Sequence, residues 1–327
     1  MLQLVSIGLL SGLFFSSTFI LNRVMSLEGG HWVWSAALRY AYMILFLLAG
    51  QLLSQGIRGP ERIFRLFFRY WKFWTLSGSI GFGGFYALIC FSADHAPGWV
   101  VATTWQLTII ASLVVLICFG RSFPKKVWGF SAIVFMGVIL VNASHVDTVH
   151  MADALMGGIP VLIAAFCYPT GNQLVWEAKN GHRLLPHIND PLVDNPFNKV
   201  FLLSLGSVPF WLVLVAINDP PPPSTGQLVN TALVAVFSGI CATSLFLFAR
   251  SKSMTGSELA AVDATQSSEV IFAIVGEVVL IGAPLPGAAA VAGILLVFTG
   301  LGLFIRFQDL PARRGRLGDI EQQRDPQ

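Results

Sequence analysis

The chain of 327 residues is 55% apolar and 11% charged, with a mean hydropathy of +0.71 and a formal net charge of +3 at pH 7. Because soluble domains carry about 25% charged residues, this composition excludes an ordinary water-soluble globule. Apolar runs of about 18 residues or more recur along nearly the whole chain. They are too long and too continuous for the strands of a transmembrane β-barrel, so they predict membrane-spanning helices.

Ten such runs follow one another along the chain. The first lies at the N-terminus without a basic n-region or an A-x-A-like cleavage site, and we interpret it as a span and not as a signal peptide. Turn-forming residues separate the runs, including Gly29, Gly30 and the prolines 220–223. We therefore predict an all-α membrane protein with ten transmembrane helices, at Leu4–Val24, Trp32–Leu53, Phe73–Phe91, Val100–Phe119, Val127–Val141, Leu155–Trp176, Val200–Ile217, Leu228–Ala249, Leu259–Ile281 and Gly287–Phe307.

Lysine and arginine concentrate at every second connection. Except for Arg23 and Arg39, all of them lie in or beside the segments that follow the second, fourth, sixth, eighth and tenth spans. Since positively charged loops remain in the cytoplasm, this alternation predicts a multi-pass protein of the bacterial inner (cytoplasmic) membrane with both termini in the cytoplasm. Aromatic and basic residues share helical spacing between Arg58 and Lys72, which predicts a helix along the cytoplasmic interface.

The sequence contains a weak internal repeat. Residues 120–124 precede one glycine-rich span, and the similar residues 282–286 precede another; Gly129 and Gly137 in the first correspond to Gly293 and Gly300 in the second. Because five spans is an odd number, two such repeats would be inverted in the membrane, as in many secondary transporters. We predict repeats at 1–143 and 144–308, and a basic, disordered cytoplasmic tail at 309–327.

These residues resemble the drug/metabolite transporter superfamily. Gly276-Glu277 at the end of the ninth span, followed by Pro286 and the glycines of 293–302, is similar to the motif that closes each repeat there, and Arg39-Tyr40 is similar to the opening of the second helix. Within the ten-helix EamA-like branch, residues 12–23 resemble the first helix of the putative multidrug resistance efflux transporter family. The resemblance covers the whole chain and implies transport of small molecules. The first-helix glutamate that couples protons in the small four-helix relatives has no counterpart here.

The ninth span is unusually rich in acidic and amide residues. On a regular helix, five of them fall within an arc of about 140° and form one polar face. A carboxyl group in low dielectric favours its neutral form, so an acid deep in this span could exchange a proton against a cation. We predict proton coupling or substrate binding at Glu269 or Asp263, with Gln266 beside them. Glu258 and the motif residues Gly276 and Glu277 are predicted to be structural.

Arg39 lies about a third of the way into the second span. It could pair with an acid of the ninth span or bind an anionic substrate through two parallel hydrogen bonds, whereas Arg23 fits an arginine that reaches toward the outer interface. Aromatic rings and a few polar groups suit organic cations and apolar ligands. On this ground we predict further cavity-lining residues: Asn22, Tyr86, Trp105, Gln106, Tyr168, Asn172 and Gln173.

Other chemistries have little support. His145, Asp147, His150 and Asp153 gather in one outer loop, but their loose spacing favours an incidental cluster over a metal site. The four cysteines form no disulfide framework or metal pair. We predict no metal, no cofactor and no nucleic-acid partner, and the sequence contains no motif of an enzyme active site.

The sequence therefore predicts a secondary active transporter that exports small amphipathic or cationic compounds, or metabolites, by alternating access. Its partners would be the small-molecule substrate, protons and the lipid bilayer, and formation of a homodimer is a further alternative. An alternative is a carrier of anionic metabolites or lipid-linked phosphates centred on Arg39. A membrane enzyme or a sensor is the third interpretation, and no catalytic constellation or soluble output domain favours it.

Overall fold

The computed structural model describes residues 2–120, 125–146, 150–253 and 256–307. This part of the chain is all-helical, contains no strand, and has ten helices long and apolar enough to cross a membrane. The prediction of ten spans is therefore confirmed, whereas the predicted tail at 309–327 lies outside the described residues. In chain order, spans 1 to 10 are Leu2–Leu27, Trp32–Gln55, Trp71–His95, Gly98–Cys118, Trp128–His145, Met151–Lys179, Pro196–Asn218, Thr225–Arg250, Ala261–Ile281 and Ala288–Arg306.

The connections alternate between two ends of the bundle. We call the end with the connections after spans 2, 4, 6 and 8 the basic end, and the other end the far end. At the basic end, a short helix at Arg58–Arg69 buries Ile63 and Leu66 and leaves Phe68 exposed. Its exposed face carries an ion pair between Arg65 and Glu61. This is the amphipathic helix that the aromatic and basic spacing predicts.

Four spans depart from regular α-helix. Spans 3 and 8 each contain a π-helical segment, at Ser79–Gly84 and Ala235–Ala242. Span 4 is divided into helices at Gly98–Trp105 and Thr108–Cys118, and in span 9 a 3₁₀ turn at Thr265–Ser267 separates two α-helices. Such irregular segments often mark functional sites, because they re-aim side chains and free backbone groups.

Glycines allow the closest helix contacts. A Cβ added at Gly137 of span 5 would lie 2.6 Å from the carbonyl oxygen of Gly293 of span 10, and one added at Gly293 would lie 2.7 Å from the carbonyl oxygen of Gly137. Span 1 also approaches the backbone of span 9, since a Cβ at Gly12 would lie 3.2 Å from the carbonyl oxygen of Thr265. Helices in a membrane associate through this kind of close backbone packing.

The neighbours of each span follow a regular scheme. Span 3 packs against spans 6 and 7, and span 8 packs against spans 1 and 2; span 4 packs against span 6, and span 9 packs against span 1. Spans 2 and 7, and spans 5 and 10, pack against each other. Adding five to each span number reproduces these contacts.

Candidate functional site

A cavity of about 220 Å³ lies among the spans, midway along the bundle. Its lining comes from spans 1 to 4 and 6 to 9, and it includes one basic side chain, that of Arg39, and one acidic side chain, that of Glu269. Six residues that the sequence predicts for the site line the cavity together: Arg39, Trp105, Gln106, Tyr168, Gln266 and Glu269.

Arg39 is almost fully buried, with 8% of its surface exposed. Its guanidinium carbon lies 4.0 Å from the ring centroid of Tyr86, and Nη2 donates a hydrogen bond to the hydroxyl of Ser238 at 3.0 Å. Nε and Nη1 are buried and make no hydrogen bond within the described structure. Arg39 thus keeps donor groups that no side chain of span 9 satisfies.

The π-helical segment of span 8 positions Ser238 for this contact. The Ser238 hydroxyl also accepts a hydrogen bond from the hydroxyl of Thr18 at 2.7 Å, so it joins span 8 to spans 1 and 2. Beneath Arg39, the Asn22 amide donates to the Tyr86 hydroxyl at 3.1 Å. Asn22 and Tyr86, both predicted as lining residues, therefore form the layer that supports Arg39 behind the cavity wall.

Glu269 lies in the first turn of the second α-helix of span 9, Ser268–Ile281, which directly follows the 3₁₀ turn. Only 6% of its surface is exposed, and its carboxyl group makes no hydrogen bond or ion pair with any residue that the structure describes. Burying an ionised carboxylate without a partner is costly, so such a group takes up a proton or meets a cation. Among the acids of span 9, Glu269 is therefore the one positioned to take up a proton or to bind a cation.

Aromatic rings form one wall of the cavity. The ring centroids of Phe85 and Trp105 are 4.8 Å apart, those of Phe85 and Tyr168 are 5.1 Å apart, and those of Trp105 and Tyr168 are 5.8 Å apart. These separations are typical of favourable aromatic contacts. The three rings, here called the aromatic wall, offer apolar area and π faces in the cavity that Arg39 and Glu269 also line.

The polar face that the sequence predicts on span 9 is divided among separate environments, because the 3₁₀ turn interrupts the helix and the neighbours differ. Asp263 forms an ion pair with Arg250 of span 8 at 3.4 Å, and both side chains are at least one-third exposed. Asp263 thus lies outside the cavity lining, unlike Glu269. Asn172 and Gln173 of span 6 also lie outside it: the Asn172 amide donates to the carbonyl oxygen of Tyr168, and the Gln173 amide donates to Glu177.

Glu277 joins span 9 to span 4 at the far end. It is 1% exposed, and its Oε1 accepts a hydrogen bond from the backbone N–H of Gly98 at 2.6 Å, where the first helix of span 4 begins. A Cβ at Gly98 would lie 2.7 Å from the carbonyl oxygen of Phe19, so span 1 closes on the same point. The neighbouring Gly276 leaves room for Ile20, because a Cβ there would lie 2.3 Å from its Cδ1. Both motif residues therefore have packing roles.

The histidines of the far end form no metal centre in the described part of the chain. His95 Nδ1 lies 3.2 Å from Asp153 Oδ1, and His145 Nε2 lies 3.4 Å from the carbonyl oxygen of His95. No three His, Cys, Asp or Glu side chains among the described residues are arranged to hold an ion. Asp147, from the same predicted cluster, lies outside these residues.

Sequence reasoning missed several residues that line the cavity. Phe85, Tyr40 and Ser238 were not among the predicted lining residues, yet they supply a ring of the aromatic wall, a ring near Arg39 and the hydroxyl that Arg39 binds. Phe85 and Ser238 lie beside or within the π-helical segments. The signal that could have identified these segments is the glycine-rich run Gly78–Gly84 in span 3, since glycines permit both irregular helix and close approach.

Comparison with known proteins identifies the family to which the chain belongs. A family model described as "Putative multidrug resistance efflux transporter" matches residues 2–310. The chain is 37% identical over 322 residues to the uncharacterized protein YjlA of Bacillus subtilis (strain 168), covering 92% of this chain and 94% of that protein. It is 34% identical over 255 residues to an uncharacterized 42.1 kDa protein of Shouchella clausii, covering 74% of this chain and 63% of that protein.

One solved crystal structure aligns with 96% of this chain and 99% of its own, with a TM-score of 0.57 and 14% identity, which shows a shared fold alone. The family match, in contrast, extends over nearly the whole sequence and includes all ten spans. The chain is therefore a multi-pass membrane protein that belongs to the putative multidrug resistance efflux transporter family of the drug/metabolite transporter superfamily.

Proposed function

We propose that this protein is a secondary active transporter that exports small amphipathic or cationic compounds, or metabolites, across the bacterial inner (cytoplasmic) membrane in exchange for protons. The observation that carries the proposal is the position of Glu269, a buried carboxyl group without a protein partner in the wall of a central cavity. A proton and a substrate cation would compete for this group. Competition for one carboxyl group is sufficient to couple an inward proton flow to outward substrate flow.

Alternating access is supported by how the two five-helix units meet. Span 1 packs against spans 3 and 4 toward the far end, where Glu277 and Phe19 contact Gly98. The equivalent packing, of span 6 against spans 8 and 9 at the basic end, is sparse among the described residues. We infer an inverted repeat that is closed at the far end and open at the basic end, with the basic end and both termini in the cytoplasm. If the contacts at the far end separated and the equivalent contacts at the basic end formed, the cavity would open to the other side of the membrane.

The test is transport by purified protein in proteoliposomes under an imposed pH gradient. We expect Glu269→Gln to abolish gradient-driven flux of a substrate cation, because the amide cannot exchange the proton. Asp263→Asn is the matched control: it removes an acid from the same span but outside the cavity, and it should retain flux. Full flux in both variants would refute proton coupling on span 9, and loss in Asp263→Asn alone would transfer the role to Asp263.

Arg39 supports a second candidate function, a carrier of anionic metabolites or lipid-linked phosphates. The supporting observation is that Nε and Nη1 of Arg39 are buried without a hydrogen-bond partner in the described structure. In that case Arg39→Ala would abolish anion flux while Glu269→Gln would leave it intact. Unchanged anion flux in Arg39→Ala would rule out this alternative.

A further inference from the structure

The cavity is lined by one basic and one acidic side chain that form no ion pair with each other. Arg39 and Glu269 are each more than nine-tenths buried and both line the cavity, yet no ion pair joins them. A buried charge is costly unless it is paired. Two opposite charges that share a cavity and remain apart are suited to a ligand that carries the complementary pair of charges.

We propose that the substrate is a small zwitterion with an apolar side chain, whose carboxylate binds Arg39 and whose ammonium group binds at Glu269. This inference rests on the proposed transport function and specifies the substrate class of the same cavity. It unites the cation and anion alternatives, since each describes one half of the zwitterion. The ligand is therefore an α-amino acid or a compound with the same charge arrangement.

The binding site for the carboxylate of the ligand is assigned from the N–H donors of Arg39. Ser238 occupies one N–H of Nη2, and the ring of Tyr86 covers one face of the guanidinium group. Nε and Nη1 retain N–H groups without acceptors in the described structure. Hydrogen bonds from arginine to a carboxylate are short and strong. Because Nε and Nη1 are both buried, a carboxylate would reach them after the side chains around Arg39 move aside.

The ammonium end is assigned from Glu269 and the aromatic wall. Glu269 is the acid in the lining of the cavity, and the rings of Phe85, Trp105 and Tyr168 lie in the same wall. Aromatic faces attract an ammonium group and also contact an apolar side chain. Tyr168 lines the cavity together with both Arg39 and Glu269.

The size of the cavity limits the ligand. Its volume of about 220 Å³ is smaller than the roughly 300–1,000 Å³ of pockets that hold drug-sized molecules. An amino acid with a medium apolar side chain matches this volume better than a large organic cation does.

The experiment uses matched ligands on the purified full-length protein in detergent. Leucine, methionine and phenylalanine are each compared with their methyl esters, which lack the carboxylate, and their N-acetyl derivatives, which lack the ammonium group. Affinities come from ligand-induced shifts in melting temperature over a concentration series. We expect at least one amino acid to bind about tenfold or more tighter than both of its derivatives, because each derivative leaves a buried charge of the protein unpaired.

Variants identify which charge recognises which group. Glu269→Gln should remove the preference for the amino acid over its N-acetyl derivative, and Arg39→Gln should remove the preference over the methyl ester. Glu177→Gln alters a buried acid of span 6 outside the cavity lining and should preserve both preferences. If Arg39→Gln fails to fold, the ligand series on the unmodified protein still decides the proposal.

Three outcomes would each refute the proposal that the substrate is a zwitterion. Methyl esters that bind as tightly as the amino acids would indicate a cation site, N-acetyl derivatives that do so would indicate an anion site, and no binding by any of the nine ligands would exclude the class. The proposed function can survive these results, because proton-driven flux of an organic cation that requires Glu269 would still establish it. Absence of all gradient-driven flux would refute the proposed function itself.

Discussion

The contact between Glu277 and Gly98 provides a direct test of how the Gly-Glu motif acts. The carboxyl oxygen of Glu277 accepts a hydrogen bond of 2.6 Å from a backbone N–H at the start of span 4, and the side chain is 1% exposed. The first N–H groups of a helix have no partner within the helix. In Glu277→Ala, the N–H of Gly98 would stay buried with no acceptor, and the bundle would lose a link between spans 9 and 4.

The expected loss follows from the kind of hydrogen bond. A bond to a charged group contributes about 1.5–3 kcal/mol, whereas a neutral one contributes about 0.5–1.5 kcal/mol. At about 2 °C per kcal/mol for a chain of this size, Glu277→Ala should lower the melting temperature by about 3–6 °C. Glu277→Gln keeps an acceptor oxygen and should lower it by about 2–3 °C, since a neutral bond replaces a charged one. Glu28→Ala, which removes an exposed acid at the same end, should change it very little.

The assay is thermal unfolding of the purified variants in one detergent, followed by tryptophan fluorescence. A melting temperature of Glu277→Ala within about 1 °C of the unmodified protein would refute the structural role of the carboxyl group. Equal losses in Glu277→Ala and Glu277→Gln would show that its charge, facing Arg23, matters more than its hydrogen bond.

Two further predictions concern helix packing and the aromatic wall. Gly137→Ala should destabilise the protein by about 1–3 kcal/mol because the added methyl group meets backbone atoms. Gly129→Ala, with open space around it, should be neutral or slightly stabilising. Thermal unfolding compares the two variants, and equal changes in stability would contradict the close contact of spans 5 and 10. Trp105→Ala should weaken ligand binding about tenfold by removing a ring of the wall, while Trp128→Ala, an exposed tryptophan of span 5, should leave it unchanged; equal affinities would place the ligand elsewhere.

The spans and the amphipathic helix could be predicted from the sequence because they depend on local properties. A bilayer requires a run of apolar residues of a certain length whatever the partners of the helix are. The helix at Arg58–Arg69 depends likewise on the spacing of residues within it. Ten of ten spans were located in this way, and the charge alternation that accompanies them needs no knowledge of tertiary contacts.

The irregular segments and the partners of polar residues could not be predicted in the same way. The single polar face of span 9 assumed a continuous helix, but a 3₁₀ turn at Thr265–Ser267 interrupts it. Glu277 meets Gly98 across 179 positions of sequence, and Arg39 meets Ser238 across 199. These contacts depend on which helices are neighbours and on how each helix is rotated about its own axis. The periodicity of residues within one helix gives no information on either point.

The two charges of the cavity come from different halves of the chain. Arg39 lies in span 2 and Glu269 in span 9, which belong to different units of the repeat proposed above, so a motion of the units that moves these two spans apart changes the separation between the side chains. A ligand that bridges both charges would therefore bind one arrangement of the units more tightly than another. A difference in affinity between two conformations is what allows a ligand to shift their equilibrium. On this argument, a zwitterion held between Arg39 and Glu269 would favour the rearrangement that transports it.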